Sequence, residues 1–157
     1  MTLQKTPGDK TIGDETSKWV LSRSNIRIRP EGRFFSPGNT KSIENNKGYR
    51  DCIEYWCKNG YHLRYSGGMA PDCYHIFVKG EGIFSSVSDM PKVQPKLRVL
   101  YECLPIGFLI EKAGGLSSNG EISLLDVKIE SFTQKVDIIV GSSEEVQRCD
   151  RFLQHHR

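Results

Sequence analysis

The sequence predicts a layered α/β fold, in which a mixed β-sheet is flanked by helices. Segments with strand patterns alternate with segments of helical spacing along the chain. A central segment, 96–115, carries apolar residues on most of its helical circumference, as a buried helix does. Residues 136–140 are apolar almost throughout, which is typical of a strand covered on both faces.

Composition narrows the class of protein. The chain has 157 residues, enough for one domain with a hydrophobic core, and no apolar run is long enough to span a membrane. A net charge of +3 without a basic stripe argues against a nucleic-acid binder and suits anionic small molecules. The five cysteines include no Cys-x-x-Cys pair, which argues against a zinc or thioredoxin-like site. Their odd number without a secretion signal predicts reduced thiols in a soluble intracellular protein of the cytoplasm or a plastid.

The first half of the chain is predicted to contain three short strands and two helices. We expect a flexible lead-in over 1–17, followed by short strands at 19–21 and 26–28. Helical spacing then predicts a helix over 40–59, and a strand follows at 61–65. A short helix over 70–78 has Pro71 and Asp72 in its first turn, where an acid meets the positive end of the helix dipole.

The second half is organised around the helix predicted over 96–115. Pro105 predicts a kink near Tyr101, because proline cannot donate the helical hydrogen bond. Strands are expected at 83–87 and 116–118, besides the one at 136–140. Ser142 and Glu145 have the spacing of a capping box that would open a final helix.

Two charges interrupt the apolar pattern of the central helix. Arg98 and Glu102 are four residues apart and therefore share one face. A carboxylate in apolar surroundings needs a partner, because burying an unpaired charge costs several kcal/mol. Either Arg98 or a bound cation would serve, and the pattern alone leaves both open.

A second candidate site is the run Ser66-Gly67-Gly68-Met69, between a strand and a helix start. Glycines there let backbone amides approach an anion, although a plain turn is the more common reason for such a pair. Arg64 and Tyr65, directly before the run, favour a phosphate site because both can donate to phosphate oxygens. The four histidines show no zinc or triad spacing.

Several linked runs resemble the class I fructose-1,6-bisphosphatase family. The resemblance covers about 19–153, and the first two runs are most similar to the sedoheptulose-1,7-bisphosphatases within that family. The runs are Phe-Ser-Pro-Gly-Asn at 35–39, Arg-Tyr-Ser-Gly-Gly-Met-Ala-Pro-Asp at 64–72, Gly-Ile-Phe at 82–84, Lys-Leu-Arg-Val-Leu-Tyr-Glu at 96–102 and Glu-Lys-Ala-Gly-Gly at 111–115.

This resemblance implies a Mg²⁺-dependent phosphatase that removes the 1-phosphate from a ketose bisphosphate, as in the Calvin cycle. It also implies a homo-oligomer, either a dimer or a tetramer. The implied roles are Glu102 as a Mg²⁺ ligand, Lys96 and Tyr65 as contacts to the distal phosphate, Arg64 as an arginine reaching a neighbouring subunit's site, Gly68 and Met69 as sugar contacts, Arg98 near the scissile phosphate, and Asn39 as a phosphate contact.

Two departures from the family pattern qualify these roles. Ser86 stands near where the fructose enzymes carry a second phosphate-contacting tyrosine. The family's acidic motif, Asp-Pro-x-Asp-Gly-Ser, is missing, and the chain contains no Asp-Gly pair. We therefore expect 18–157 to be the C-terminal half of the sugar-phosphatase fold, without the metal-binding half and nearly inactive alone. The alternatives are a fructose-1,6-bisphosphatase and a non-catalytic sugar-phosphate-binding or partner module.

Overall fold

A five-stranded mixed sheet forms the centre of the structure, a computed structural model that describes Leu21 and residues 23–156. The predicted lead-in and most of the predicted strand at 19–21 lie outside these residues. The strands are β1 (Phe34–Pro37), β2 (His62–Leu63), β3 (Ile83–Ser86), β5 (Leu116–Ser118) and β7 (Ile138–Gly141), and a separate ribbon pairs β4 (Leu97–Arg98) with β6 (Lys135–Val136).

The order of the main sheet is β2-β1-β3-β7-β5. Strand β1 runs parallel to both of its neighbours, whereas β7 runs antiparallel to β3 and β5. This arrangement confirms the predicted mixed sheet. The long crossovers that parallel pairs require are supplied by the helices that follow β1 and β2.

Two helical layers cover the sheet, and the alternation of strand side chains supplies an apolar face to each. Phe35 and Ile83 face one layer, while Phe34 and Phe84 face the other. The first layer is made of α1 (Lys47–Lys58) and α4 (Ser143–His155), and the second of α2 (Met69–Lys79) and α3 (Leu104–Lys112). None of the described helices is long and apolar enough to cross a membrane.

The central helix differs from its prediction at the start. Residues 97–98 form β4 instead, because they pair with β6. The helix then opens with a π-helical turn, Val99–Cys103, and Pro105 lies in the first turn of α3. The irregularity that proline predicts near Tyr101 therefore takes the form of a π turn, in which the Leu104 N–H bonds to the Val99 carbonyl.

Two further predictions were wrong for tertiary reasons. Residues 26–28 form no strand, because the Ile28 and Arg29 amides bond to the Ala113 and Gly80 carbonyls at helix ends, each at 2.8 Å. The capping box also does not form. The Ser142 hydroxyl accepts a hydrogen bond from the Gly82 amide at 3.0 Å, and Glu145 is fully buried with other partners.

The apolar pattern of the central helix predicted burial on most of its circumference, but its outer side is exposed. Tyr101, Phe108 and Leu109 are each about half exposed on its outer side. The Tyr101 ring lies 5.1 Å from the Phe132 ring, so the exposed apolar surface continues onto the segment after β5. We call this surface the open face, and it comprises Leu100, Tyr101, Phe108, Leu109, Ile122, Leu125, Ile129 and Phe132.

Candidate functional site

The carboxyl ends of β1, β2 and β3 meet at one edge of the main sheet, because these strands are parallel. Asn39 follows β1, and Arg64 and Tyr65 follow β2. Ligands of open α/β sheets bind outside the carboxyl ends of the strands. This end of the molecule, called here the carboxyl edge, is therefore the candidate site.

The short ribbon brings the other predicted residues to the same edge. β7 is antiparallel to β3, so it begins at the carboxyl edge, and β6 leads directly into it. Arg98 on β4 pairs with Lys135 on β6, which places Lys96 and Arg98 beside this end of β7. Three strand spacings, about 14 Å, separate β2 from β7 along the edge. Met69 and Leu97 both pack on the apolar cluster beneath this edge.

Glu102 pairs with Arg98, one of the two partners that its position allowed. Its Oε2 accepts the Arg98 backbone N–H at 2.7 Å and lies 3.6 Å from Arg98 Nη1. The Glu102 side chain is 26% exposed and that of Arg98 is 42% exposed. The carboxylate therefore closes the π turn at the rim of the site, neither isolated in the core nor free in solvent.

The glycine run forms an ordered turn at the start of α2. The Ser66 hydroxyl donates to the Gly68 carbonyl and accepts from the Gly68 amide, both at 3.2 Å, and Gly67 has φ +88°. The Ser66 amide donates to Asp72 Oδ1 at 3.0 Å. Gly68 is the N-cap of α2 and offers no side-chain cap, so the positive end of this helix is left for a ligand or water.

Arg64 and Tyr65 extend from this turn toward solvent. Tyr65 is 62% exposed, and the Arg64 guanidinium donates only to the neighbouring Leu63 carbonyl, at 3.1 Å. The pKa of nearby His75 is lowered, first by burial and then by Arg64 and Lys79. Among the described residues, the Arg64 guanidinium has no carboxylate partner, a setting that favours phosphate.

Asn39 is buried and ties two strand exits together. Its Nδ2 donates to the Val87 carbonyl at 3.0 Å, which joins the chain after β1 to the chain after β3. Its Oδ1 has no hydrogen-bond partner. The Asn39 amide N–H is therefore used within the fold, and its free oxygen is a hydrogen-bond acceptor. Phosphate oxygens need donors instead.

Four buried polar atoms without a hydrogen-bond partner are found in the part of the chain that the structure describes. All belong to segments at the carboxyl edge, and three are pure acceptors. Leaving such an atom unpaired costs about 1–3 kcal/mol, so native proteins usually supply a ligand, an ion or a water. Hydroxyl groups of a sugar would supply the missing donors. The atoms are Ser36 Oγ, Asn39 Oδ1, Asp72 Oδ2 and Asp89 Oδ2.

Sequence reasoning missed Asp137 at this edge. Its Oδ1 accepts the Ser88 amide at 2.9 Å, and its Oδ2 accepts the Ser88 hydroxyl at 3.0 Å. Burial raises the pKa of Asp137 to about 6, although both bonds from Ser88 act in the opposite direction. The sequence does carry a signal for this residue, because Asp137 is the one acid inside the apolar run 136–140. A buried carboxylate needs a hydrogen-bond partner or a ligand, so it was a candidate for the site.

Proteins of known family align with most of this sequence. The family model described as the C-terminal domain of fructose-1,6-bisphosphatase matches residues 28–154. The chain is 41% identical over 139 residues to the chloroplastic sedoheptulose-1,7-bisphosphatase of Spinacia oleracea, and this match covers 88% of the chain and 35% of the relative. It is 39% identical over 151 residues to the class 1 fructose-1,6-bisphosphatase of Geotalea uraniireducens, covering 91% and 48%.

Solved structures agree with these relatives. A Toxoplasma gondii protein assigned as a sedoheptulose-1,7-bisphosphatase superposes with a TM-score of 0.81 at 38% identity, covering 83% of this chain and 42% of that one. The fructose-1,6-bisphosphatase of Leishmania major also gives 0.81, at 27% identity, covering 88% and 44%. The chain spans between a third and a half of the length of these relatives. It belongs to the fructose-1,6-bisphosphatase family, within which it matches the C-terminal domain.

Proposed function

We propose that this chain is the sugar-phosphate-binding part of a ketose bisphosphatase. The reaction is hydrolysis of sedoheptulose 1,7-bisphosphate to sedoheptulose 7-phosphate and phosphate. One observation carries the proposal: cationic donors and unpaired buried acceptors converge on the carboxyl edge of a chain whose relatives are sugar bisphosphatases. A phosphorylated sugar needs both kinds of group, donors for its phosphate and acceptors for its hydroxyls.

In this proposal, the phosphate that is not cleaved is held by Tyr65 and Lys96. Arg64 reaches the site of a neighbouring subunit, in keeping with its exposed guanidinium. The backbone of Gly68 and Met69, at the uncapped start of α2, contacts the sugar. Binding energy from these remote groups orients the reacting phosphate.

Arg98 is the residue that we propose for the scissile phosphate. Its backbone is fixed by the β4–β6 pairing, and Glu102 holds its backbone amide at 2.7 Å. A guanidinium in this position stabilises the negative charge of the transferring phosphoryl group. Glu102 thereby serves as a positioning group for Arg98, besides the metal role proposed next.

The residues described here do not form a Mg²⁺ site of their own. Among residues 21 and 23–156, no three Asp, Glu, His or Cys side chains lie together in a group that could hold a metal. Mg²⁺ in phosphatase sites is usually bound by more than one carboxylate. We propose that Glu102 supplies one ligand, and that the others belong to a segment corresponding to the remaining length of the relatives.

The open face is the surface that we propose for that segment. It includes Leu100 and Tyr101, which directly precede Glu102 within the π turn. A segment that covered these side chains would therefore place its own carboxylates beside Glu102. The Tyr101 and Phe132 rings are 5.1 Å apart, and apolar side chains that cluster on a surface often mark an interaction site.

A second candidate is fructose 1,6-bisphosphate as the substrate. It is favoured by the class 1 fructose enzymes among the relatives, which reach 39% identity. Ser86 favours the heptulose, because it is a small residue where the fructose enzymes are expected to have a tyrosine, and a longer sugar needs the room. Titration calorimetry with sedoheptulose 7-phosphate and fructose 6-phosphate separates the two by relative affinity.

The same calorimetry tests the proposal itself, on the full chain and without metal. We expect sedoheptulose 7-phosphate to bind, and Lys96→Ala to weaken binding about tenfold, as a lost charge-assisted hydrogen bond does. The control is Lys128→Ala, an exposed lysine on the segment after β5. No binding by the wild-type chain, or an equal loss in the control, would contradict the proposal.

A phosphate-release assay tests the need for further carboxylates. The chain alone, with Mg²⁺ and sedoheptulose 1,7-bisphosphate, is expected to turn over at least a thousandfold more slowly than a full-length relative, since the metal cluster is incomplete. Turnover within tenfold of the full-length enzyme would show that this chain builds a complete site.

A further inference from the structure

A second concave site lies at the far end of α2 from the carboxyl edge. It has a volume of about 220 Å³, and it is lined by residues 23–27 and by the end of α2, residues 77–80. Helix α2 spans 11 residues, so about 16 Å separates this cavity from the Gly68 turn. The cavity shares no residue with the candidate functional site.

The lining of this cavity is cationic. Arg23, Arg27 and Lys79 contribute three positive charges, and no carboxylate is among the lining residues. Glu81, the next acid along the chain, is engaged by Arg29 at 2.9 Å. The positive charge of the cavity is therefore not balanced by an acid within its walls.

Several carbonyl groups at the end of α2 already accept hydrogen bonds. The Ile76 carbonyl accepts the Gly80 amide, and the Gly80 carbonyl accepts the Arg29 amide, each at 2.8 Å. The Val78 carbonyl accepts one guanidinium N–H of Arg23 at 2.9 Å. Because a guanidinium has five N–H donors, Arg23 keeps donors for a ligand after capping the helix.

The two walls of the cavity, residues 23–27 and the end of α2, lie in close contact. Gly80 has φ +69°, and a Cβ at this position would lie 2.9 Å from the Arg27 carbonyl oxygen. Asn25 also takes a left-handed conformation, with φ +53°, and it turns the chain between Arg23 and Arg27. Arg23 and Arg27 thus belong to a short segment that packs against the C-terminal end of α2.

We propose that this cavity binds a small phosphate-bearing ligand, at a site separate from the carboxyl edge. Arginine and lysine donors around a concave surface match the charge and the oxygen acceptors of phosphate. The inference is independent of the proposed function, because it uses none of the residues assigned there.

The experiment is an NMR titration of the ¹⁵N-labelled full chain with inorganic phosphate, at constant ionic strength maintained with chloride. Saturable amide shifts are expected at 23–27 and 77–80. The double substitution Arg27→Gln and Lys79→Gln is expected to weaken the affinity at these amides at least fivefold. It leaves the helix-capping Arg23 in place, and amide spectra without ligand verify the fold. Its charge-matched control is Lys47→Gln with Arg151→Gln, two exposed cations elsewhere on the surface.

Three results would overturn the inference. The first is the absence of saturable shifts at the cavity. The second is a shift restricted to 64–69, which would assign the phosphate to the carboxyl edge and leave the proposed function intact. The third is an equal loss of affinity in the control, which would reduce the effect to general electrostatic attraction.

Discussion

The two helical layers differ in how completely they are closed. In the layer of α1 and α4, Glu145 is fully buried yet bonded to Trp56 Nε1 at 3.0 Å, Tyr61 Oη at 2.9 Å and Arg148 Nη1 at 2.5 Å. Gly48 lets the two helices meet, since a Cβ there would lie 2.6 Å from the Phe152 carbonyl oxygen. Within the described residues, this layer leaves none of its buried side-chain acceptors unpaired.

The layer of α2 and α3 is closed only on its inner side. Ile110 is fully buried, but Phe108 and Leu109 beside it are 49% and 51% exposed. Its neighbouring carboxyl edge holds unpaired acceptors and a carboxyl group with a raised pKa. The contrast indicates that one side of the sheet is complete as it stands and that the other is built to receive further groups.

The largest expected effect is the loss of the Glu145 network. Glu145→Ala should lower the free energy of unfolding by about 3–5 kcal/mol, because it leaves the Arg148 charge, the buried Trp56 N–H and the partly buried Tyr61 hydroxyl without their partner. Urea denaturation measures the change. The control is Glu144→Ala, an exposed neighbour, which should change stability by less than about 0.5 kcal/mol. A loss below about 1 kcal/mol for Glu145→Ala would contradict the view that this layer depends on the network.

The next effect concerns the pH dependence of Asp137. Its folded pKa of about 6 lies above the usual 3.8, so the native state binds its proton more tightly. The associated stability is present at low pH and is lost as the pH rises through about 6. Between pH 4.5 and 7.5, Asp137→Asn should therefore gain about 2 kcal/mol relative to the wild type.

Urea denaturation of both proteins across that range gives the measurement. Only the difference between the two curves is interpreted, because burial also raises the pKa of Asp150, which both proteins retain. Asparagine preserves the shape of the side chain and can still bond to Ser88. Parallel curves would mean that the Asp137 carboxyl group carries no such shift.

The smallest effect on stability is expected on the open face. Replacing Phe108 and Leu109 together by glutamine, a good helix former, should change the free energy of unfolding by less than about 1 kcal/mol. Ile110→Ala, on the same helix but fully buried, should cost about 2–5 kcal/mol. Sedimentation velocity should also show less self-association in the double variant. If it is as destabilised as Ile110→Ala, the face is not open.

Local patterns predicted the regular parts of the fold. Helix α2 begins and ends within one residue of its prediction, since Gly68 and Gly80 bound it as caps. Strand β3 and strand β5 also lie where alternation and turns indicated. The residues that set the ends of these elements lie within a few positions of them in the sequence. Contacts with distant residues therefore did not move their boundaries.

The predictions that were wrong share one cause, which is bonding to a residue that is distant in the sequence. Leu97 and Arg98 leave the predicted helix to pair with residues 135–136. Glu145 does not form the capping box, because its carboxylate accepts hydrogen bonds from Trp56 and Tyr61 instead. At the candidate site, the segments that carry the eight predicted residues reach one edge, but the family resemblance selected them. Spacing alone had no means of bringing Tyr65 and Lys96 to the same end of the sheet.

The π turn at Val99–Cys103 has one consequence for how this protein tolerates change. A π turn holds one residue more than an α turn, and each α-helical residue rotates the chain by about 100°. Deleting one residue here would turn the π turn into an ordinary α turn, so Phe108 and Leu109 would still face outward and Ile110 inward. Loss of one codon at this point would therefore be absorbed locally, whereas the same loss within α3 itself would rotate the helix face beyond it by about 100°.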